Sequence, residues 1–140
     1  MAAEASSVPV LRRFAGRVVR QWGLAEAVEE AVRLIVTELA SNAVRHSGSA
    51  DLVLRISAGS GRLVLNVQDF GCWRPPRPAG PEAAAERCSG RGLDLVNAFA
   101  AHCEVTATAA GTLVAAELPL PDPDGPWCGV CRWVVGGVAA

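Results

Sequence analysis

Lysine is missing from this 140-residue sequence, and all thirteen basic residues are arginine. That excludes lysine Schiff-base chemistry and a lysine phosphate clamp. Any side-chain cation that grips phosphate must be Arg, whose planar fork suits bidentate contact. Aromatic residues are scarce at 5%, and the formal net charge is only -1. A nucleic-acid-binding module fits this balance poorly, and nothing in it draws the chain to anionic lipid. No apolar run reaches the ~20 residues that a bilayer-spanning helix needs, and the longest, residues 127–140, is interrupted by Arg132. No secretory leader is expected at the start of this sequence, because Arg12, Arg13, Arg17 and Arg20 crowd the first apolar run. The five cysteines are odd in number and scattered, which fits a reduced cytoplasmic setting. Cys128 and Cys131 form one close pair, whereas a structural zinc site takes about four ligands, usually from two such pairs. No βαβ redox context surrounds them.

What is present is apolar. Hydrophobic residues make up 51% of the chain, too many for disorder. A single domain of this length buries roughly two-thirds of its unfolded surface. Leu11, Phe14, Val18 and Trp22 recur at helical spacing and predict a helix over 8–22, ended by Gly23. A second helix runs over 25–46 on the stripe Val28, Val32, Ile35, Leu39 and Ala43, stopped by Gly48. Leu52, Leu54 and Ile56, then Leu63, Leu65 and Val67, alternate with less apolar neighbours on either side of Gly59-Ser60-Gly61, a hairpin pattern. The Pro-, Gly- and Arg-rich stretch 71–90 is long for a loop in a compact domain and reads as a functional loop holding a short 82–87 helix. A third helix is expected over 92–101, then strands over 104–109 and 112–118 around Ala110-Gly111. The pattern lapses near Pro121, giving a domain over 1–121 and a tail over 122–140 without an assigned role. Short turns between strands and helices gathered on one face predict an α+β two-layer sandwich with a mixed, mostly antiparallel sheet.

Four short stretches carry candidate chemistry. Glu38, Asn42 and His46 follow one another at steps of four, so each drifts only about 40° around the helix and all project from one side. That side borders the apolar stripe, where a carboxylate needs a partner or a task. Glu38 as general base and Asn42 as an oxygen ligand for Mg²⁺ is one reading; a polar helix edge with an ordinary i,i+4 hydrogen bond is the other. Asp69 shares the inward face of Leu63, Leu65 and Val67, where it needs hydrogen-bond donors. An adenine amino group is one such donor, and a turn-capping role before Gly71 is the plain alternative. Ser89-Gly90-Arg91-Gly92-Leu93 places two glycines at a helix start, where free N–H groups can meet phosphate, with Arg87 and Arg91 either adding charge or simply solvated. Gly111-Thr112 alone reads as a hairpin turn.

Taken together, Glu38-Leu39-Ala40-Ser41-Asn42-Ala43-Val44-Arg45-His46, Asp69-Phe70-Gly71, Gly90-Arg91-Gly92-Leu93 and Gly111-Thr112 resemble the N, G1 and G2 boxes of the gyrase and histidine-kinase ATP-binding superfamily, the Bergerat fold. The short chain and the stretch Thr37–His46 are most similar to the anti-sigma-factor serine/threonine kinases, over about residues 8–120. The resemblance implies ATP with Mg²⁺ as cofactors. Asn42 would coordinate the ion, and Glu38 would activate a partner's serine or threonine hydroxyl. Arg45 would reach phosphate or stay solvated. Asp69 would accept from the adenine amino group, directly and through water shared with Thr112, and Gly71 would leave room for the base. Gly90, Arg91, Gly92 and Leu93 would hold phosphate through the backbone, under a lid. His46 matches the box without an assigned chemical role; a structural hydrogen bond suits it. The resemblance further implies a cytoplasmic homodimer that phosphorylates an antagonist protein and sequesters a sigma factor, with no direct nucleic-acid contact. A nucleotide-gated binding module without kinase activity is the rival, and the catalytic piece of a histidine kinase a weaker one. The chain departs from the usual G1 box at Cys72-Trp73-Arg74-Pro75-Pro76, which bears on how tightly the base is held.

Overall fold

The computed structural model describes residues 1–71, Val96 and residues 98–120. Helix α1 spans Ser7–Gln21 and α2 spans Glu26–His46. Pro9 is tolerated in the first turn of α1, where an amide would lack a helical acceptor in any case. Gly23, at φ 70°, turns the chain out of that helix. Helix α2 contains neither Gly nor Pro. Glu26 and Glu29 lie in its first turn and Arg45 and His46 in its last, both favourable to the helix dipole.

Four strands follow: β1 Leu52–Gly59, β2 Arg62–Asp69, β3 His102–Thr108 and β4 Gly111–Pro119. They form one sheet in the order β1-β2-β4-β3, and every pairing among these strands is antiparallel. Ser60 and Gly61 both have positive φ, the pattern of a two-residue I′ hairpin. The second hairpin differs from expectation, because Gly111 is the first residue of β4 and the turn is made by Ala109 and Ala110. Thr108 ties this turn, its hydroxyl accepting from the Ala110 amide at 3.2 Å and donating to the Gly111 carbonyl at 3.2 Å. At the opposite edge, Met1 pairs with Leu52 through two backbone bonds, and Ala2 bridges Asp51.

Both helices lie on one face of the sheet and close a single core. Leu11, Ala15, Val18, Val19 and Trp22 from α1 meet Val32, Ile35, Val36, Leu39 and Ala40 from α2. Leu54, Ile56, Leu63, Leu65 and Ala116 supply the floor. Phe14 and Val28, expected in the helical stripes, sit half-buried at the margin of this core. A Cβ at Gly16 would run into the Arg33 guanidinium, the flexible end of a side chain from α2. Arg33 and Arg20 both grip Glu29, at 2.7 and 2.6 Å, which spans the two helices. Of the expected third helix, Val96, Ala98 and Phe99 are helical and Val96 is fully buried. The helix stops short of its expected end, because Ala100 and Ala101 are not helical; residues 92–95 and 97, the 82–87 helix, the glycine-rich 90–93 stretch, Cys72, Trp73, and the 122–140 tail with Cys128 and Cys131 lie outside the described residues.

Candidate functional site

Strand alternation turns Asp69 inward, as its period predicts. It is the last residue of β2 and only 3% exposed. Its register partner across the sheet is Thr112, the second residue of β4, which is 2% exposed. Two stretches separated by more than forty residues in sequence thus meet directly. The Asp69 carboxylate accepts from the Gly71 amide at 3.1 Å and from the Thr112 backbone. Burial pushes its pKa above the ordinary aspartate value, while these two amides pull in the opposite direction without cancelling the effect.

A small pocket, open to solvent on one side, lies against this carboxylate. Among the described residues its walls are Leu39, Asn42 and Ala43 from α2, Val67 and Asp69 from β2, Val105 from β3 and Val114 from β4. Five of the seven are apolar. The two polar groups are Asn42 and Asp69, from different elements. The Asn42 amide makes no hydrogen bond among the described residues. An apolar slot with a few convergent polar groups is the usual form of a small-molecule site. One charged acceptor beside apolar walls suits a flat heteroaromatic ring that carries an exocyclic N–H donor.

Glu38 stands one helical turn before Asn42, half-buried, with no hydrogen bond or ion pair among the described residues, and it does not line the pocket. Arg45 is exposed in the last turn of α2. His46 is exposed and engaged in an interaction of its own. Gly71 has a structural reason that the sequence reading did not supply. A Cβ there would collide with the Ser47 carbonyl and the Ser49 amide, so the chain after Asp69 can pass the end of α2 only without a side chain. Gly111, at φ 141°, is similarly pressed against the Asp69 carbonyl. Sequence reasoning also missed the apolar walls. Alternation marks Val67 and Val114 as inward, yet nothing in their spacing says that they face a pocket rather than solid core. Among the described residues, no three His, Cys, Asp or Glu side chains cluster as metal ligands, and no helix is long and apolar enough to cross a membrane.

The family described as "Histidine kinase-like ATPase domain" matches residues 1–118. The chain belongs to that family. A histidine kinase-like ATPase domain is an ATP-binding regulatory module, and the two-layer α+β architecture is that of the Bergerat superfamily. Solved structures that resemble it include the Acinetobacter baumannii histidine kinase AdeS, at TM-score 0.51 and 15% identity over 67% of this chain and 48% of that one. The histidine kinase domain of the Erythrobacter litoralis EL346 blue-light activated histidine kinase aligns at TM-score 0.51 and 28% identity, over 67% of this chain and 45% of that one. A further structure of the blue-light activated kinase aligns at 0.51 and 27%, over 69% of this chain and 32% of that one. The ATPase domain therefore spans less than half the length of these structures. No curated protein matches it. The residues present are compatible with the family's ligand: a buried carboxylate able to accept from a base and, on the facing helix, an amide unengaged among the described residues.

Proposed function

We propose that this ATPase domain is a protein serine/threonine kinase that transfers the γ-phosphoryl group of ATP to an antagonist protein and thereby controls a sigma factor. The observation that carries the reading is the convergence of Asn42 and Asp69 on one pocket, with Glu38, unpaired among the described residues, one turn away. In this reading Asp69 and Thr112 hold the adenine edge. The 90–93 backbone and Arg91 receive phosphate, with Arg45 as a further phosphate contact. Mg²⁺ held through the Asn42 amide oxygen would neutralise phosphate charge, in keeping with an ion that takes one or two protein ligands plus substrate phosphates.

Glu38 supplies the base. The partner's Ser or Thr oxygen attacks the γ-phosphorus, its proton passes to the Glu38 carboxylate, and the bond to the β-phosphate oxygen breaks to release ADP. A carboxylate without a competing ion pair is suited to take that proton. The partners are the sigma factor and its antagonist, the compartment is the cytoplasm, and the active form is a homodimer. The test is Glu38→Ala. Phosphate transfer to the antagonist should fall by roughly 10²–10⁴, the typical contribution of a positioned base, while ATP binding persists. Transfer at the wild-type rate in that variant would refute the role of Glu38. Binding of ATP without transfer in the wild type would leave a nucleotide-gated binding module.

A further inference from the structure

The turn between α2 and β1 is wired to the end of β2. The Ser47 amide caps α2 through the Ala43 carbonyl at 3.0 Å, and its hydroxyl accepts from the Ser49 amide at 3.0 Å. The Ser49 hydroxyl in turn accepts from the Phe70 amide at 3.0 Å and from the Asp51 amide at 3.2 Å, and donates to the Asp51 carbonyl at 2.7 Å. One hydroxyl therefore uses its donor and both acceptor sites, all on backbone. The Phe70 amide is the peptide that leaves Asp69, so holding it sets the backbone torsion of Asp69. The next amide, Gly71, closes back on the carboxylate at 3.1 Å, and the absence of a Cβ there keeps that segment pressed on Ser47. Ala43, at the helix end of this chain of bonds, is itself a wall of the pocket.

We propose that Ser49 is a positioning residue for nucleobase recognition: its hydroxyl clamps the Phe70 peptide and so fixes the Asp69 carboxylate against the pocket. The inference rests on the assignment of Asp69 to the adenine amino group. Ser49 is only half-buried and the Phe70 side chain is exposed, so the hydroxyl fills no core space. Its worth lies in direction rather than in packing. A carboxylate held by burial and two amides meets a donor at one angle, and releasing the preceding peptide widens that angle.

The experiment compares the wild type with Ser49→Ala, Ser49→Thr, Asp69→Asn and the Ser49→Ala/Asp69→Asn double variant. Each is titrated with ATP and with GTP, whose base presents an acceptor in place of the amino group, and each is checked by thermal unfolding. Ser49→Ala should weaken ATP binding about five- to tenfold, the loss expected from one misaligned hydrogen bond, with GTP affinity unchanged, so that the preference for ATP narrows. Thr should restore it. In the Asp69→Asn background, Ser49→Ala should add nothing to the loss, because the two act through one group. Equal weakening of ATP and GTP by Ser49→Ala, or additive losses in the double variant, would overturn the clamp while leaving the adenine assignment standing. Unchanged ATP binding in Asp69→Asn would overturn the adenine assignment and the clamp with it.

Discussion

Asp69→Asn separates recognition from folding at one atom. The carboxylate has about four acceptor sites, and the Gly71 and Thr112 amides occupy two of them. Among the described residues nothing else takes the remaining sites, and the only other polar wall of the pocket is Asn42. An asparagine of the same shape keeps one oxygen, which the two backbone amides would claim, and points N–H groups toward a donor. The lost bond is one to a charged group in a buried setting, about 1.5–3 kcal/mol. That converts to roughly a ten- to 150-fold rise in Kd for ATP. Folding responds differently. Burial holds the Asp69 pKa above its unfolded value, so the folded state binds more proton than the unfolded state between the two values. Stability from this group is fully present below the ordinary carboxylate range and is lost as pH rises through the raised value, by at most about 1.4 kcal/mol per pH unit. The variant should lack that falling component. Isothermal titration with ATP, beside urea unfolding of both proteins across the acidic range, measures the two effects. An ATP affinity within about twofold of wild type, or an identical pH slope in both proteins, would refute the assignment of a buried, ligand-facing carboxylate.

Gly71→Ala drives a Cβ into the backbone of Ser47 and Ser49, atoms that cannot rotate away; a loss of about 1–3 kcal/mol in urea unfolding is expected, and unchanged stability would mean that the two segments do not touch. Ile35→Ala empties a fully buried position between the helices and the sheet and should cost about 2–5 kcal/mol, lowering the urea midpoint at constant slope. Asn42→Ala should abolish the gain in ATP affinity that Mg²⁺ confers while leaving metal-free binding intact, read by titration with and without chelator; an equal gain in both proteins would remove Asn42 from the metal's coordination.

Much of this fold is legible in the sequence because its signals are periodic. Helix α2 runs twenty-one residues without Gly or Pro on an apolar stripe, so its start and stop read off within a residue. The inward turn of Asp69 follows from the two-residue period of Leu63, Leu65 and Val67. What stays hidden is pairing between distant segments. Nothing in the sequence says that β4 inserts beside β2 rather than at the sheet edge, yet that order sets Thr112 opposite Asp69. The Ser47–Ser49 turn is equally silent, since Ser-Gly-Ser reads as any surface loop until Gly71 is laid against it. The resemblance makes Gly71 a space for the base; its missing Cβ faces Ser47, a contact between residues some twenty-four positions apart. Val105 escaped notice because β3 is largely exposed, and a half-buried valine there carries no mark of a pocket wall.

The pocket floor and the hydrophobic core are built from the same side chains. Leu39, Ala43, Val67 and Val114 belong to the core cluster and also line the pocket. Truncating any of them removes packing from the interior as well as a wall from the site, so a lost affinity there would not distinguish a damaged fold from a damaged contact. The polar groups differ. Among the described residues, Asn42 is half-buried and unengaged, Asp69 is held by backbone amides, and Ser49 bonds only to backbone. Their replacement changes direction and charge while leaving nearly all of the apolar burial in place. In the proposed reading, specificity is therefore set by a few polar atoms mounted on a floor that folding already requires, and those atoms are where binding can be altered without unfolding the protein.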